Sequence, residues 1–347
     1  MRIASVGIAL PSRRVSNKEI LDLIRQSSEK TFSGDLAQAL KRIGALLQRS
    51  GAESRYWLGA DETAIGLTSR AVAEALSTAD CDRHEIDLLI YTGIDRGFAE
   101  PANAYFVARA IGMERVHCFD VLDACNGWSR SVQLVYALFK AGMYRRALLV
   151  SSEFPIFEGG PIYPGLFELH ASGDIGRSFA GFTLGEGVAA TVLSNDPEYE
   201  WEFHFASRAD LADLCTVPLP GFERYSAPSG YLPGNGLMRL SSEGGRMFSE
   251  GRREITKLFL ELSILTEDIV AIFPHAATVR DWIEGAASLG VDRLIYNIYP
   301  YCGNLASASV PVGIARAVND GRIRRGDRLV CVTGSAGMSF AAYSLVF

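Results

Sequence analysis

Residues 116–142 read VHCFDVLDACNGWSRSVQLVYALFKAG, and their pattern changes period in the middle. Val116–Val121 is a short β-prone run. From Asn126 to Gly142 the apolar residues Trp128, Val132, Val135 and Phe139 fall on one helical stripe, widened by Leu134 and Leu138. A strand, a polar turn and a buried helix are therefore expected, with Cys125 at the junction. Upstream, residues 87–93 (DLLIYTG) read as a strand and Pro101–Gly112 as a helix ending on its glycine; downstream, Arg146–Ser152 reads as a third strand.

The same order returns later in the chain. Ile269–Phe273 is expected as a strand, Thr278–Leu289 as a helix, Leu294–Ile298 as a strand, Ala306–Asn319 as a helix and Arg328–Thr333 as a strand. Alternating strands and helices predict an α/β protein with largely parallel sheets. The repeat predicts a duplicated unit, with a seam near residues 194–200 and halves at 1–195 and 196–347. The total of 347 residues exceeds what one core ordinarily holds, which fits two halves. Residues 26–51 have helix-forming composition, and residues 208–240, rich in proline and glycine, read as a long surface excursion over the site.

Composition narrows the function. The chain is 48% apolar and carries a formal charge of −6, which argues against a nucleic-acid binder. No apolar run approaches the ~18 residues of a membrane span. The first twenty residues lack the cleavage site of a signal peptide. Six dispersed cysteines with no metal spacing suit a reducing, cytoplasmic setting. Gly185–Ala190 fits a loose dinucleotide pattern, but no strand–turn–helix unit with an acidic ribose ligand accompanies it, so no nicotinamide site is expected.

Three residues stand out together. Cys125, at the first turn of a buried helix, would meet free N–H groups and the positive dipole end, both of which favour a thiolate. Taken singly, each has a plain structural reading: Cys125 as a small core residue, His275 as a hydrogen-bonded histidine, Asn304 as a turn former. All three follow strands and precede helices, so they lie at the strand carboxyl ends where α/β sites assemble.

These segments resemble the thiolase-fold condensing enzymes, and within them the β-ketoacyl-[acyl carrier protein] synthase III group. Residues 7–11 with 16–20 match the family's opening. Residues 51–56 are similar to its Gly-Ile-x-x-Arg segment, and residues 120–128 to its Asp-x-x-x-x-Cys-x-Gly-Phe motif. Residues 185–189, 245–248, 274–277 and 303–311 follow in the family's order, the last as Gly-Asn-Leu-Ala-Ser-Ala-Ser-Val-Pro, and Gly334–Gly337 matches its closing turn. The family's tryptophan-bearing coenzyme A segment is missing before residue 51, and Thr278 stands where many members have asparagine.

The resemblance implies a layered α-β-α-β-α thiolase-like fold. It implies Cys125, His275 and Asn304 as the catalytic triad, backbone N–H groups of Cys125 and Gly337 as an oxyanion hole, and Arg280 at the carrier or pantetheine entrance. The implied reaction is decarboxylative Claisen condensation of an acyl thioester with a malonyl-type thioester through an acyl-cysteine. Two alternatives are non-decarboxylating acyl transfer or chain joining, and a non-catalytic acyl-binding partner subunit. The implied substrates are coenzyme A or phosphopantetheine thioesters, with an acyl carrier protein as partner, a homodimer as assembly, and no further cofactor, metal, nucleic acid or membrane. Arg130, within the buried helix, points away from Cys125 and is expected to pair with Glu153.

Overall fold

The computed structural model describes residues 1–157, 160, 162–199, 201–226 and 236–347. The first half contains β1 (Arg2–Ala9), β2 (Arg13–Ser16), α1 (Asn17–Ser28), α2 (Leu36–Ser50), β3 (Ser54–Trp57) and α3 (Ala64–Thr78). It continues with β4 (Leu88–Thr92), α4 (Asn103–Ala110), β5 (His117–Asp120), α5 (Gly127–Lys140), β6 (Arg146–Glu153), α6 (Asp174–Ser178) and β7 (Gly187–Ser194). The second half contains β8 (Trp201–Ser207), β9 (Cys215–Thr216), β10 (Ser241–Ser242), α7 (Gly244–Leu260), β11 (Ile269–Pro274) and α8 (Arg280–Ala287). It ends with α9 (Tyr299–Cys302), α10 (Ser309–Asn319), β12 (Arg328–Ser335) and β13 (Ser339–Val346).

Two sheets repeat one plan. The first runs β1-β7-β6-β4-β5 and the second β8-β13-β12-β11. The first has two parallel pairs (β4 with β5 and with β6) beside two antiparallel ones, and the second has one parallel pair (β11 with β12) beside two antiparallel ones. The sheets are therefore mixed rather than largely parallel. β13 follows β12 through a short turn, and strands joined that tightly must run antiparallel.

Side chains sort by strand alternation into layers. Leu88 and Ile90 face inward with Trp128, Val132 and Val135 of α5 and Ile314 of α10, while Leu89 and Tyr91 face outward to α3 and α4. On β12, Leu329 and Cys331 face the central helices, and Val330 and Val332 face Leu258 of α7 and Ala286 of α8. The result is a five-layered α-β-α-β-α sandwich with α5 and α10 buried between the sheets. Among the described residues no helix is long and apolar enough to cross a membrane.

One expected strand does not form. Leu294–Ile298 contributes a single bridge, Ile295 with Ile272, because a 3-10 turn at Asp292–Leu294 and helix α9 leave no length for a ladder. Residues 26–51 supply the last three residues of α1 and all of α2. Residues 227–235 of the expected excursion, and Glu200 at the end of the expected seam, lie outside the described residues. The excursion's flanks, Cys215, Thr216, Val217 and Leu240, line the cavity described next.

Candidate active site

The nucleophile turn is built under strain. Ala124 opens the three-residue 3-10 turn Ala124–Asn126 with φ +44°, a left-handed conformation that costs a non-glycine residue roughly 1–2 kcal/mol. Polar bonds from the other half hold it in place. The Asn126 N–H donates to Ser335 Oγ (3.3 Å) and its amide Nδ2 to Ser339 Oγ (3.3 Å). Ser335 Oγ donates to Asp123 O and Ser339 Oγ to Asp123 Oδ1, both at 3.1 Å. Ser335 and Ser339 flank the β12–β13 turn that carries Gly337, so that turn is bound to the Cys125 turn. Motif reading found Gly337 and missed the two serines.

His275 leaves the end of β11, and Asn304 follows Gly303, whose φ of +71° and close packing exclude a side chain. His275 Nε2 lies 3.0 Å from Asn304 Oδ1, which also accepts the Ala306 N–H at 2.9 Å. That second bond fixes the orientation of the amide, so Nε2 carries the proton facing Oδ1. Among the described residues, the Asn304 amide nitrogen makes no hydrogen bond. Burial pushes His275 down to about 4, although its bonds to Asn304 and the Gly334 backbone favour the protonated ring. His275 is therefore a neutral donor at physiological pH.

Cys125, His275 and Asn304 all line one cavity of about 750 Å³. Its walls are mainly apolar and extend to Phe179, Leu184 and Leu240 on one side and to Ile255, Phe259 and Leu289 on the other. Arg49, Arg252 and Arg280 also line it. Arg280 is exposed at the start of α8 and is paired with Glu284.

Two expectations fail on electrostatics. Burial pushes the Cys125 thiol well above its ordinary range, and Cys215 and Glu153 act in the same direction; only the turn's own N–H opposes them. The helix-terminus argument loses because the 3-10 turn separates Cys125 from the start of α5 and desolvation outweighs the dipole. Arg130 pairs with Asp123 (3.1 Å) and covers the Phe205 ring (4.1 Å), so its partner is not Glu153. Glu153 is fully buried and instead accepts the Ile94 N–H (3.0 Å) and the N–H of Ser307 (3.1 Å). Cys302 is buried beside the cavity without lining it, and its Sγ meets Arg316 at 3.6 Å. Among the described residues no group of side chains could hold a metal ion.

Comparison with known proteins agrees with the layered, thiolase-like fold. Residues 261–347 match the family described as 3-oxoacyl-[acyl-carrier-protein] synthase III, C terminal. Over 99% of its length the chain is 27% identical to the β-ketoacyl-[acyl-carrier-protein] synthase III of Symbiobacterium thermophilum, 97% of which is covered. It is 24% identical to that of Actinobacillus pleuropneumoniae, with 98% of each chain covered. The 3-oxoacyl-[acyl-carrier-protein] synthase III of Aquifex aeolicus superposes with a TM-score of 0.79 at 18% identity, covering 100% of this chain and 99% of the other. Xanthomonas campestris OleA, solved with lauric acid and lauroyl-CoA, gives 0.83 at 20% identity, covering 99% and 98%. Along nearly its whole length the chain is similar to β-ketoacyl-[acyl-carrier-protein] synthases III, and its residues 261–347 match the C-terminal part of that family.

Proposed function

We propose that the protein catalyses decarboxylative Claisen condensation of an acyl thioester with a malonyl-type thioester, and that Cys125 carries the acyl group. The observation behind this reading is the convergence of a thiol, a neutral imidazole and an amide on one apolar cavity. Cys125 Sγ attacks the thioester carbonyl, and its proton leaves with the departing thiol. The malonyl-type thioester then loses carbon dioxide, and the negative charge moves onto its carbonyl oxygen. His275 Nε2–H, exchanging its bond to Asn304 Oδ1 for one to that oxygen, and the Asn304 amide N–H are the donors for it, each such donor contributing about 3 kcal/mol. The enolate carbon attacks acyl-Cys125, forming the carbon–carbon bond and breaking the C–S bond, and the released thiolate takes a proton from water to return to the thiol. Backbone N–H groups of Cys125 and Gly337 would receive the charge on the acyl oxygen in both attacks.

A neutral His275 suits this chemistry, because a charged imidazolium would require solvation that the cavity does not offer. Arg280, with Arg49 and Arg252, would meet the phosphates of coenzyme A or of a carrier-borne phosphopantetheine. Asp281 and Glu284 line the same cavity and pair with Arg252 and Arg280, so three guanidiniums and two carboxylates leave a net charge of one positive. We infer a homodimer, supported by the exposed apolar side chains Phe98, Tyr105 and Leu122, and no cofactor beyond the thioester substrates.

A second reading, joining of two acyl chains without decarboxylation, is favoured by the size and apolar character of the cavity, which exceed the needs of a short primer. Intact-protein mass spectrometry with acyl-CoA donors of increasing length tests acyl loading: one acyl mass should appear, and Cys125→Ala should abolish it. Asn304→Ala should retain the adduct but slow malonyl-dependent carbon dioxide release by about a hundredfold or more. Product formation that needs no malonyl donor and ignores Asn304 would select chain joining. Absence of any adduct would leave only the acyl-binding subunit.

A further inference from the structure

Glu153, at the end of β6, has no part in the steps above, yet it lies where the two halves meet. Its Oε2 accepts the N–H of Ile94, a residue that lines the cavity, and its Oε1 accepts both the N–H and the hydroxyl of Ser307. Ser307 follows Ala306, whose N–H orients the Asn304 amide. Ala306 is also held at φ +44°, the same value as Ala124.

The two turns are counterparts. Each is a three-residue 3-10 turn opened by a left-handed alanine, and each leads into a central helix, α5 or α10. Ser307 therefore occupies in the second half the position that Cys125 occupies in the first. The turns also pack together: a Cβ placed on Gly127 would come within 3.4 Å of the Ser307 Cβ.

We propose that Glu153 is a positioning residue for carbon–carbon bond formation, its carboxyl clamping the Ser307 turn that aims Asn304 to the Ile94 segment that walls the cavity. This rests on the reading that Cys125 and Asn304 perform the condensation. The ionisable groups facing the carboxyl are Asp95 on the segment after β4, Tyr91 on β4 and Cys125 on the nucleophile turn. Burial and then Asp95 raise Glu153 to about 8, whereas Asp95 itself is raised only to about 6. Near neutral pH, Asp95 is thus the charged member and Glu153 the neutral clamp. Above about pH 8 a second negative charge appears: the Ile94 and Ser307 donors hold the carboxylate more tightly, but its repulsion from Asp95 bears on the Ile94 segment and it opposes ionisation of Cys125.

The test uses full-length enzyme pre-acylated on Cys125, so that thiolate formation no longer matters, and follows a single turnover with the malonyl donor from pH 6.5 to 9.5. Wild type should slow above about pH 8. Glu153→Gln keeps the neutral shape while giving up one acceptor, so it should retain at least about a third of the rate at pH 7 and lose the alkaline fall. Glu153→Ala should lose about tenfold or more at pH 7, within the range for misaligned oxyanion donors, while loading acyl groups on Cys125 at near wild-type rate. Ser307→Ala offers a milder break of the same clamp should Glu153→Ala not fold, and should slow condensation more than loading. An alkaline fall unchanged in Glu153→Gln, or equal loss of loading and condensation in the Ala variants, overturns the proposal. Wild-type enzyme that loads but never condenses overturns the functional reading itself, a separate outcome.

Discussion

Raising the pH from about 6.5 to about 8 should destabilise this protein. Two buried carboxyls hold protons in the folded state that they release when unfolded. Burial raises Glu153 from 4.5 to about 8, with Asp95 adding to the effect. Burial likewise raises Glu186 from 4.5 to about 7, although the N–H groups of Leu58 (2.7 Å) and Ile156 (2.8 Å) pull the other way. In this window the folded chain binds more protons than the unfolded one, so stability falls as pH rises. Each such group contributes ~1.4 kcal/mol per pH unit. Glu153 acts across the whole interval for about 2 kcal/mol and Glu186 across its first part for about 1, giving about 3 in total. His275, lowered from 6.5 to about 4, has the opposite sign; half of its unfolded imidazole is still protonated at pH 6.5, so it offsets about 0.4 kcal/mol of this loss. Urea unfolding followed by tryptophan fluorescence at the two pH values measures the difference. In Glu153→Gln the loss should shrink to about 1 kcal/mol. A midpoint that stays level or rises with pH would refute the assignment of both carboxyls as buried neutral acids.

Two further outcomes follow from the nucleophile turn. Iodoacetamide should alkylate Cys125 more slowly than a free thiol at pH 7, at a rate still climbing past pH 9 in peptide mass spectra; a plateau below pH 8 would show that a preformed thiolate exists after all. Gly127→Ala drives a Cβ to 1.9 Å from Thr92 Oγ1, so it should cost about 1–3 kcal/mol in thermal or urea melts, and Thr92→Ala should recover part of that loss. Additive effects in the double variant would contradict the packing argument.

Much of the architecture is legible in the sequence because strand, turn and helix change period abruptly around Cys125 and again around Asn304. The buried stripe of Trp128, Val132, Val135 and Phe139 is helical in the structure, and helix α10 follows Asn304 as its pattern predicts. Strand direction was not legible. Periodicity carries no sign, so the antiparallel course of β7 shows only in its hydrogen-bonded ladders, while that of β13 follows from the short turn after β12. The segment 294–298 has strand composition, but the neighbouring turn and helix α9 leave room for one bridge, a competition no local propensity scale records.

The site divides in the same way. Convergence of Cys125, His275 and Asn304 on one cavity follows from their shared topological position at strand ends, and topology can be inferred from the order of elements. Their electrostatics depend instead on what surrounds them in space. The dipole argument for Cys125 considered one helix and left out Glu153, Cys215 and the apolar wall, all distant in sequence. Arg130 went wrong for the opposite reason: its partner Asp123 is local, seven residues upstream in the turn, while Glu153 is taken up by the Ile94 and Ser307 donors. With the resting thiol neutral and His275 neutral beside it, charge separation in this cavity has to wait for the thioester, whose departing thiol can take the proton. A neutral cavity lined by apolar residues then serves loading and condensation alike, because each negative charge is formed only next to the donors that receive it.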